Sequence, residues 1–461
     1  MKSKIKLLPY GMVWLTKLLS SKIFLSTFVV LILFSSRSLY AEDLMFFYNS
    51  AREFDAQFSK AKYDKAASRE IIKQAYSRLF PTLTLNAEHT NTKDDIKSSD
   101  NTVYGSGVAH YPSDSYTLAL VQPIFNFSYI MGVIKAKEEI RRSDVEYVNA
   151  RQEIIIRVAE NYFNTLSAKD NYEFYKSELA AVEQHYNLAK VQLDNGQIPV
   201  TDMLDARARS ATVFADMIKS ENELDDAREA LYVVSGQKDI KLSGIQTNAS
   251  LAALEPADYD SWMQIALEKN LEIIIEKHEV EIAKREIKRL KADHFPVLNL
   301  ELRDEWSDVD GSLFGGGSEV ETQEIAFQLS FPIFKGGFVS SQVREALQLH
   351  KAAKEELRNK TLLVKRKTRS TYLGVKSAII RANAYEKSVE AQKLTLEAKQ
   401  QGFKSGLFTS LDVLDAERDL YEAKRDYTKA RYDYITNILN LKFSVGTLTE
   451  EDIAKVNTWL D

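Results

Sequence analysis

The sequence contains no cysteine, and this absence excludes several kinds of site. Without thiols there is no disulfide framework, no zinc site with cysteine ligands, no cysteine nucleophile and no lipidated N-terminal cysteine. Proline and glycine are also scarce, with 8 and 17 among 461 residues. Because both residues interrupt helices, their scarcity permits helices of unusual length.

Histidine is scarce too, and the six histidines do not have the paired spacing of metal ligands. The sequence also lacks a serine-centred or glycine-rich catalytic loop. Its many carboxylates fall in charged stretches that favour helices. We therefore predict a protein that is not an enzyme and that binds no metal and no cofactor.

Residues 1–41 contain no acidic residue, but six Lys and Arg and an apolar run from Ile23 to Phe34. This run is shorter than the ~20 residues that a membrane-spanning helix needs. The pattern predicts a secretory signal peptide over residues 1–41, with Met1 or Met12 as its start. The chain has a formal net charge of −5 and becomes more acidic without this segment, so nucleic acid is not an expected partner.

The rest of the chain contains one long duplication, in which two motifs return about 210 residues later. The pairs are Phe80-Pro81-Thr-Leu-Thr-Leu with Phe295-Pro296-Val-Leu-Asn-Leu, and Asp202-Met-Leu-Asp205-Ala with Asp412-Val-Leu-Asp415-Ala. A single duplication of this length indicates two structural repeats rather than a solenoid of short ones.

Both repeats have the same predicted order of elements: a helix, a β-hairpin, a long helix and a shorter helix. In the first repeat, 42–235, these span about 44–77, 82–122, 128–194 and 202–234. In the second repeat, 270–445, they span about 271–292, 297–331, 338–401 and 411–443. Each long helix would measure on the order of 100 Å. Residues 236–269 remain as a linker, and residues 446–461 remain as a C-terminal tail.

The hairpin strands alternate between apolar and polar residues, as Leu83, Leu85 and Ala87 do with their neighbours. In an exported chain this alternation is typical of an outer-membrane β-barrel, and a soluble sheet with one wet face also has it. Four strands cannot enclose a pore, and open sheet edges are not tolerated in lipid, so several chains must share one barrel. Three chains would give twelve strands. The polar stretches Lys93 to Asp114 and Ser307 to Thr322 are predicted as exposed loops.

These elements and motifs resemble the TolC family of outer-membrane efflux proteins. The resemblance covers nearly the whole mature chain. It rests on the Phe-Pro that enters one strand of each hairpin, the Pro-Ile-Phe at Pro123 and Pro332, and the Asp-Val-Leu-Asp-Ala that opens the last helix. It implies a homotrimer that is mainly α with a small β part. A twelve-stranded outer-membrane β-barrel, with four strands from each chain, would continue into a long α-helical coiled-coil barrel, with the linker and tail as an equatorial belt.

The function that the resemblance implies is the exit channel of a tripartite efflux pump in the outer membrane. Its partners would be an inner-membrane pump or ABC transporter, a periplasmic adaptor (membrane fusion protein) and outer-membrane lipid. One alternative is an exit duct for type I protein secretion. Another is a structural coiled-coil protein of the periplasm, or the adaptor itself, which would not be a channel.

Two aspartates at the start of the predicted helix 411–443 are candidates for a gate. Asp412 and Asp415 lie three residues apart, so their carboxylates share one helix face. Under threefold symmetry they would form two rings of acids in a narrow mouth. Helix capping, with Ser410 at the cap, is the alternative explanation, because acids in a first turn favour the helix dipole.

Further candidates lie in the turns that join the long and shorter helices. Gly196 and Gly406 can take the left-handed conformation that ends a helix, and the resemblance implies that these turns, with Leu407, contact the adaptor. In the family, a tyrosine and an arginine hold the closed state by bonding an aspartate of the first half. Asp202 matches that aspartate, but Phe403 and Phe408 stand at the partner positions. Since phenylalanine neither donates a hydrogen bond nor neutralises a carboxylate, we hypothesise that closure depends more on apolar contact.

Overall fold

The computed structural model describes residues 42–98, 107–238, 241–246, 254–311 and 316–460. The predicted signal peptide and the centre of each hairpin loop lie outside these residues. The helices in the described ranges are α1 (Leu44–Phe54), α2 (Ala56–Ser77), α3 (Phe127–Asp194), α4 (Val200–Ser235), α5 (Tyr259–Lys269), α6 (Leu271–Ala292), α7 (Phe338–Lys404), α8 (Ser410–Ser444) and α9 (Glu450–Asn457). The strands are β1 (Thr82–Ile96), β2 (Gly107–Phe125), β3 (Val297–Val309) and β4 (Ser318–Ser330). A mainly helical fold with a small β part is thereby confirmed.

Two very long helices form the body of the protein. Helix α3 has 68 residues and α7 has 67, so each is on the order of 100 Å long. Both turn back sharply into the shorter helices α4 and α8. Because α3 packs against α4 and α8, and α8 packs against α7, the helices stand in the order α4, α3, α8, α7. Toward the strands, α2 and α6 replace the shorter helices, and the order becomes α2, α3, α6, α7.

The four strands form one antiparallel sheet in the order β1-β2-β3-β4. Leu83 pairs with Leu120, Leu120 with Leu302, and Leu302 with Ile325, so the apolar positions of all four strands share one face. This face is open in the single chain, with Ile325 77% exposed. The outer edges of β1 and β4 have no strand partner among the described residues.

The strands are longer than predicted, and the prediction of loops at Lys93 to Asp114 and Ser307 to Thr322 is wrong in part. Strand β1 continues to Ile96 and pairs with β2 from Gly107 onward. The second hairpin likewise continues to Val309 and resumes at Ser318. Main-chain hydrogen bonds make the ladder, so polar side chains do not end it when both faces are wet.

The helix predicted at 44–77 is two helices, because the chain is extended at Asp55, with φ −62° and ψ 121°. Residues predicted as linker and tail also contain regular structure, in α5 and α9. The main hydrophobic core lies where these short helices pack against the middle of the long ones, and Tyr48, Tyr162 and Tyr434 in it are at most 1% exposed. The short helices α1 and α5 pack against α3 and α7 and add buried side chains such as Phe47 and Trp262 to this core.

The side chain of Asp55, at the break between α1 and α2, forms an ion pair with Arg157 of the long helix α3. Its side chain is buried, accepts a hydrogen bond from the backbone N–H of Phe58 at 2.6 Å, and pairs with both Nη atoms of Arg157 at 2.7 and 2.8 Å. We expect Asp55→Ala to lower the free energy of unfolding by about 3–5 kcal/mol, because it leaves the Arg157 guanidinium without its partner. The urea midpoint of the purified protein measures this loss.

The control for this prediction is Asp64→Ala on α2. Asp64 pairs with Lys60 at 2.6 Å, but the two side chains are 60% and 76% exposed. Such a pair contributes at most about 1 kcal/mol. Equal midpoints for the two variants would show that Asp55 does not anchor the break.

Candidate functional site

The candidate residues of both repeats lie at one end of the helical body, in and beside the turns that follow α3 and α7. Gly196 has φ 71° and Gly406 has φ 78°, the left-handed region that favours glycine. An added Cβ would meet no atom within 4 Å at either position, so backbone conformation, not space, requires glycine there. Leu407 is 77% exposed beside Gly406. The second turn therefore presents an apolar side chain to solvent.

Asp412 belongs to a capping box at the start of α8. Its backbone N–H donates to the Thr409 hydroxyl at 3.2 Å, and the N–H of Thr409 donates to its carboxylate at 2.8 Å. The cap is thus Thr409, and the prediction of Ser410 at the cap is wrong, because Ser410 is already the first helical residue. The hydrogen bond from the Thr409 hydroxyl, followed by that from its backbone, lowers the pKa of Asp412. Asp412 is therefore a charged acid that is partly exposed to solvent.

Asp415 is engaged differently, in an ion pair between the two repeats. Its Oδ1 accepts a hydrogen bond from Nη1 of Arg209 at 2.8 Å, and Nη1 of Arg418 lies 3.4 Å from the same oxygen. Arg209 is on α4 and Asp415 on α8, so this bond ties the first helical hairpin to the second. We call Arg209, Asp415 and Arg418 the cross-repeat cluster.

The cluster affects two ionisable side chains of α3, which packs between the two shorter helices. Burial, assisted by the charge of Arg209, lowers the pKa of His185, while Asp415 opposes this effect. Burial raises the pKa of Glu178, while Arg209 and Arg418 oppose it. These effects place both groups within the electrostatic range of the cluster.

Sequence reasoning missed Arg209, although one signal was present. When the repeats are aligned on Asp205 and Asp415, Arg209 falls opposite Asp419. The first repeat thus carries a positive charge where the second carries a negative one, and this difference indicates that the two repeats could form an ion pair where they pack together.

The other gate candidates make no ionic contact with one another. Asp202 lies in the first turn of α4, where the hydroxyl of Thr201 donates to its carboxylate at 3.2 Å. The Phe408 ring lies over its own turn, directly against Gly402. A Cβ added at Gly402 would be only 2.4 Å from this ring. Phe403 is 49% exposed. An ion pair does join the two repeats, but it is formed by Arg209 and Asp415 and not by Asp202. Closure by apolar contact stays a prediction.

The described residues contain no group of three or more acidic or histidine side chains that could hold a metal ion. None of their helices has the length together with the apolar character that crossing a membrane requires.

Comparisons with known proteins bear on both fold and function. The family model for outer membrane efflux protein matches residues 47–237 and 262–447. The outer membrane protein TolC of Vibrio cholerae is 30% identical over 427 residues, which are 92% of this chain and 95% of that protein. The alkaline protease secretion protein AprF of Pseudomonas aeruginosa is 28% identical, over 89% of this chain and 85% of that protein.

Among solved structures, the outer membrane protein VceC of Vibrio cholerae superposes with a TM-score of 0.70 at 18% identity, over 88% of this chain and 97% of that chain. This likeness confirms the α/β barrel fold that the sequence predicts.

Proposed function

Since the chain belongs to the family of outer membrane efflux proteins, we propose that it is the exit channel of a tripartite efflux pump. It is an outer-membrane channel that extends into the periplasm, as the resemblance to TolC implied. In the proposed pump, an inner-membrane pump or ABC transporter and a periplasmic adaptor deliver small molecules to it. The observation that carries this proposal is one chain that joins a four-stranded sheet with an open apolar face to two rods of ~100 Å.

Export of proteins is the second candidate, because the chain is similar to AprF, whose name describes secretion of a protease. Membership of a channel family disfavours the alternative of a structural coiled-coil protein or adaptor. Deletion of the gene distinguishes the two cargoes. The pump proposal expects higher accumulation of a fluorescent dye in the mutant cells, whereas loss of secreted proteins from the medium with normal dye accumulation would support secretion instead.

The proposed assembly is a homotrimer, and the sheet gives the first reason. The outer edges of β1 and β4 lack a partner strand in the described part of the chain, and unpaired backbone groups in lipid are unfavourable by several kcal/mol each. Pairing β4 of one chain with β1 of the next satisfies both edges. Three chains then close a barrel of twelve strands, wide enough for a lumen.

The helices give the second reason, because α4 and α7 stand at opposite sides of the chain and both expose large apolar residues. On α4 these include Val200, Phe214 and Val233, and on α7 they include Leu373, Ile380 and Leu394. The α2 and β1 elements lie on the α4 side, and β4 leads directly into α7. One head-to-tail rotation therefore covers the apolar helices and closes the sheet at the same time.

At the periplasmic mouth we assign the ring of acids to Asp412 rather than to Asp415. Asp412 is partly exposed and has no ion pair with a described residue, whereas Asp415 is neutralised by Arg209 and Arg418. Three copies of Asp412 around a narrow opening would attract multivalent cations. The glycine turns beside this ring, with Leu407, are the proposed contact with the adaptor.

Hexaamminecobalt(III) added to the periplasmic side of a planar bilayer should block the wild-type channel, and Asp412→Asn should weaken that block at least tenfold. The variant removes three negative charges from one mouth, and each tenfold change corresponds to only about 1.4 kcal/mol. Asp194→Asn is the matched control, because Asp194 is an exposed acid at the end of α3, also at the tips. Equal weakening by both variants would contradict a specific ring.

A further inference from the structure

The helices α4 and α7, which stand at opposite sides of the single chain, carry opposite charge near the level of the main core. Residues 360–385 of α7 contain seven cations and no acid: Lys360, Lys365, Arg366, Lys367, Arg369, Lys376 and Arg381. Residues 216–229 of α4 contain six acids and two cations: Asp216, Glu221, Glu223, Asp225, Asp226 and Glu229, with Lys219 and Arg228. Surfaces of opposite charge attract each other, so the α7 side of one copy favours the α4 side of another.

The internal duplication shows which residues of these two helices are equivalent. Equivalent helix residues of the two repeats are 210 positions apart, as the glycine turns at the tips are. In the first repeat the Thr165 hydroxyl donates to the carbonyl of Ala227 at 3.0 Å. In the second repeat Asn437, the equivalent of Ala227, lies against Gly374, where an added Cβ would be 3.1 Å from its Oδ1. The two helical hairpins therefore share one register at the level of the core.

The contact between α3 and α8 shows how the long helix of one repeat meets the shorter helix of the other. The Asn440 amide of α8 donates to the Glu160 carboxylate of α3 at 2.9 Å. Next to these residues, Ala159 and Leu439 are each 1% exposed. In a head-to-tail ring of such duplicated chains, α7 meets α4 of the neighbouring subunit in the same way.

We infer that Arg369 of one subunit forms an ion pair with Glu229 of the next. These residues occupy the positions equivalent to Ala159 and Leu439. Both are exposed in the single chain, and neither has an ion pair with a described residue. Because the equivalent positions are buried, the ring would enclose both charges, where a charge pair is tolerated and a lone charge is not. The inference rests on the proposed homotrimer and adds the register of its helices and the charge pair that specifies the neighbour.

Charge reversal on each side of the contact tests the inference. Arg369→Glu places two acids together and Glu229→Arg places two cations together, so each should reduce the heat-resistant oligomer in the outer-membrane fraction about tenfold or more. The variant with both substitutions should restore the oligomer. Lys367→Glu is the matched control, because Lys367 is exposed on the same helix about 160° around its axis from Arg369. Circular dichroism shows whether each variant folds.

Thiol cross-linking tests the register separately, because the chain has no cysteine of its own. Ser370 and Ala230 are the equivalents of Glu160 and Asn440, which are in contact within the chain. The variant with Ser370→Cys and Ala230→Cys should therefore be linked between subunits by the short reagent o-phenylenedimaleimide. Each single variant should remain unlinked.

The outcomes separate this inference from the proposed channel. An oligomer that survives Arg369→Glu, that does not return in the double charge reversal, or that is lost equally in Lys367→Glu would overturn the ion pair and leave the channel proposal standing. Absence of linkage between positions 370 and 230 in an intact oligomer would do the same. If the wild-type protein formed no oligomer, the homotrimer itself would be wrong, and the ion pair with it.

Discussion

Channels in which alanine replaces Arg209 should be open far more often in planar bilayers than wild-type channels. The substitution removes the bond from α4 to Asp415 on α8, the ionic link found between the two hairpins at the tips. The partners are 30% and 34% exposed, so each link contributes only about 1 kcal/mol. In the proposed trimer three links act on one mouth, and their loss would change the ratio of open to closed channels about a hundredfold.

The matched control is Arg207→Ala, because Arg207 lies on the same helix, is exposed and has no ion pair with a described residue. Its open probability should equal that of the wild type. Arg209→Lys keeps the charge and should restore most of the closed state. If Arg209→Ala channels remain as closed as wild-type channels, the cross-repeat cluster does not hold the mouth, and closure by Phe403 and Phe408 becomes the better hypothesis.

The second large effect concerns the membrane-facing side of the sheet. Phe327 lies on the open apolar face of β4, where it is 71% exposed and pairs with Leu300. An arginine on the lipid face of a barrel is unfavourable by about 2–4 kcal/mol near the bilayer centre, and the trimer would contain three. We expect Phe327→Arg to abolish the heat-resistant oligomer in the outer-membrane fraction.

Gln328→Arg is the matched control, because the next residue of a strand points to the opposite face. Gln328 pairs with Asn299, on the face that also carries Glu301 and Arg303. The proposed lumen is wet, so this arginine should leave the oligomer intact. Loss of the oligomer in Gln328→Arg with retention in Phe327→Arg would mean that the faces are assigned the wrong way round.

The large elements could be predicted from sequence because their signals are continuous. Scarcity of proline and glycine between Pro123 and Pro199 predicted a helix over 128–194, and the structure has Phe127–Asp194. Strand ends were harder, because Ile96 and Gly107 lie in polar sequence that continues a ladder only through its partner strand. The break at Asp55 has only a weak local signal, an aspartate that caps α2, and the partner of its carboxylate, Arg157, is 102 residues away.

The candidate site was predicted in the same uneven way. Asp412 and Asp415 follow from a motif, and the glycine turns follow from helix ends. The partner of Asp415 is 206 residues distant and on another helix, so spacing alone could not find it. Asp412 and Asp415 look equivalent in the sequence, but their surroundings differ. Asp412 belongs to the capping box of α8, whereas Asp415 is neutralised by two arginines.

The side-by-side order of helices also has a consequence for how the protein is made. A newly exported monomer presents two unpaired strand edges and two apolar flanks, which are the surfaces that drive aggregation. In the proposed homotrimer, folding would be complete only when the neighbouring chains bind, and the yield of channels would depend on local protein concentration. A truncated subunit that kept the apolar surface of α4 but lost that of α7 could bind one neighbour but not the next. It would therefore prevent closure of the proposed trimer and reduce the number of functional channels in a cell that also made the intact protein.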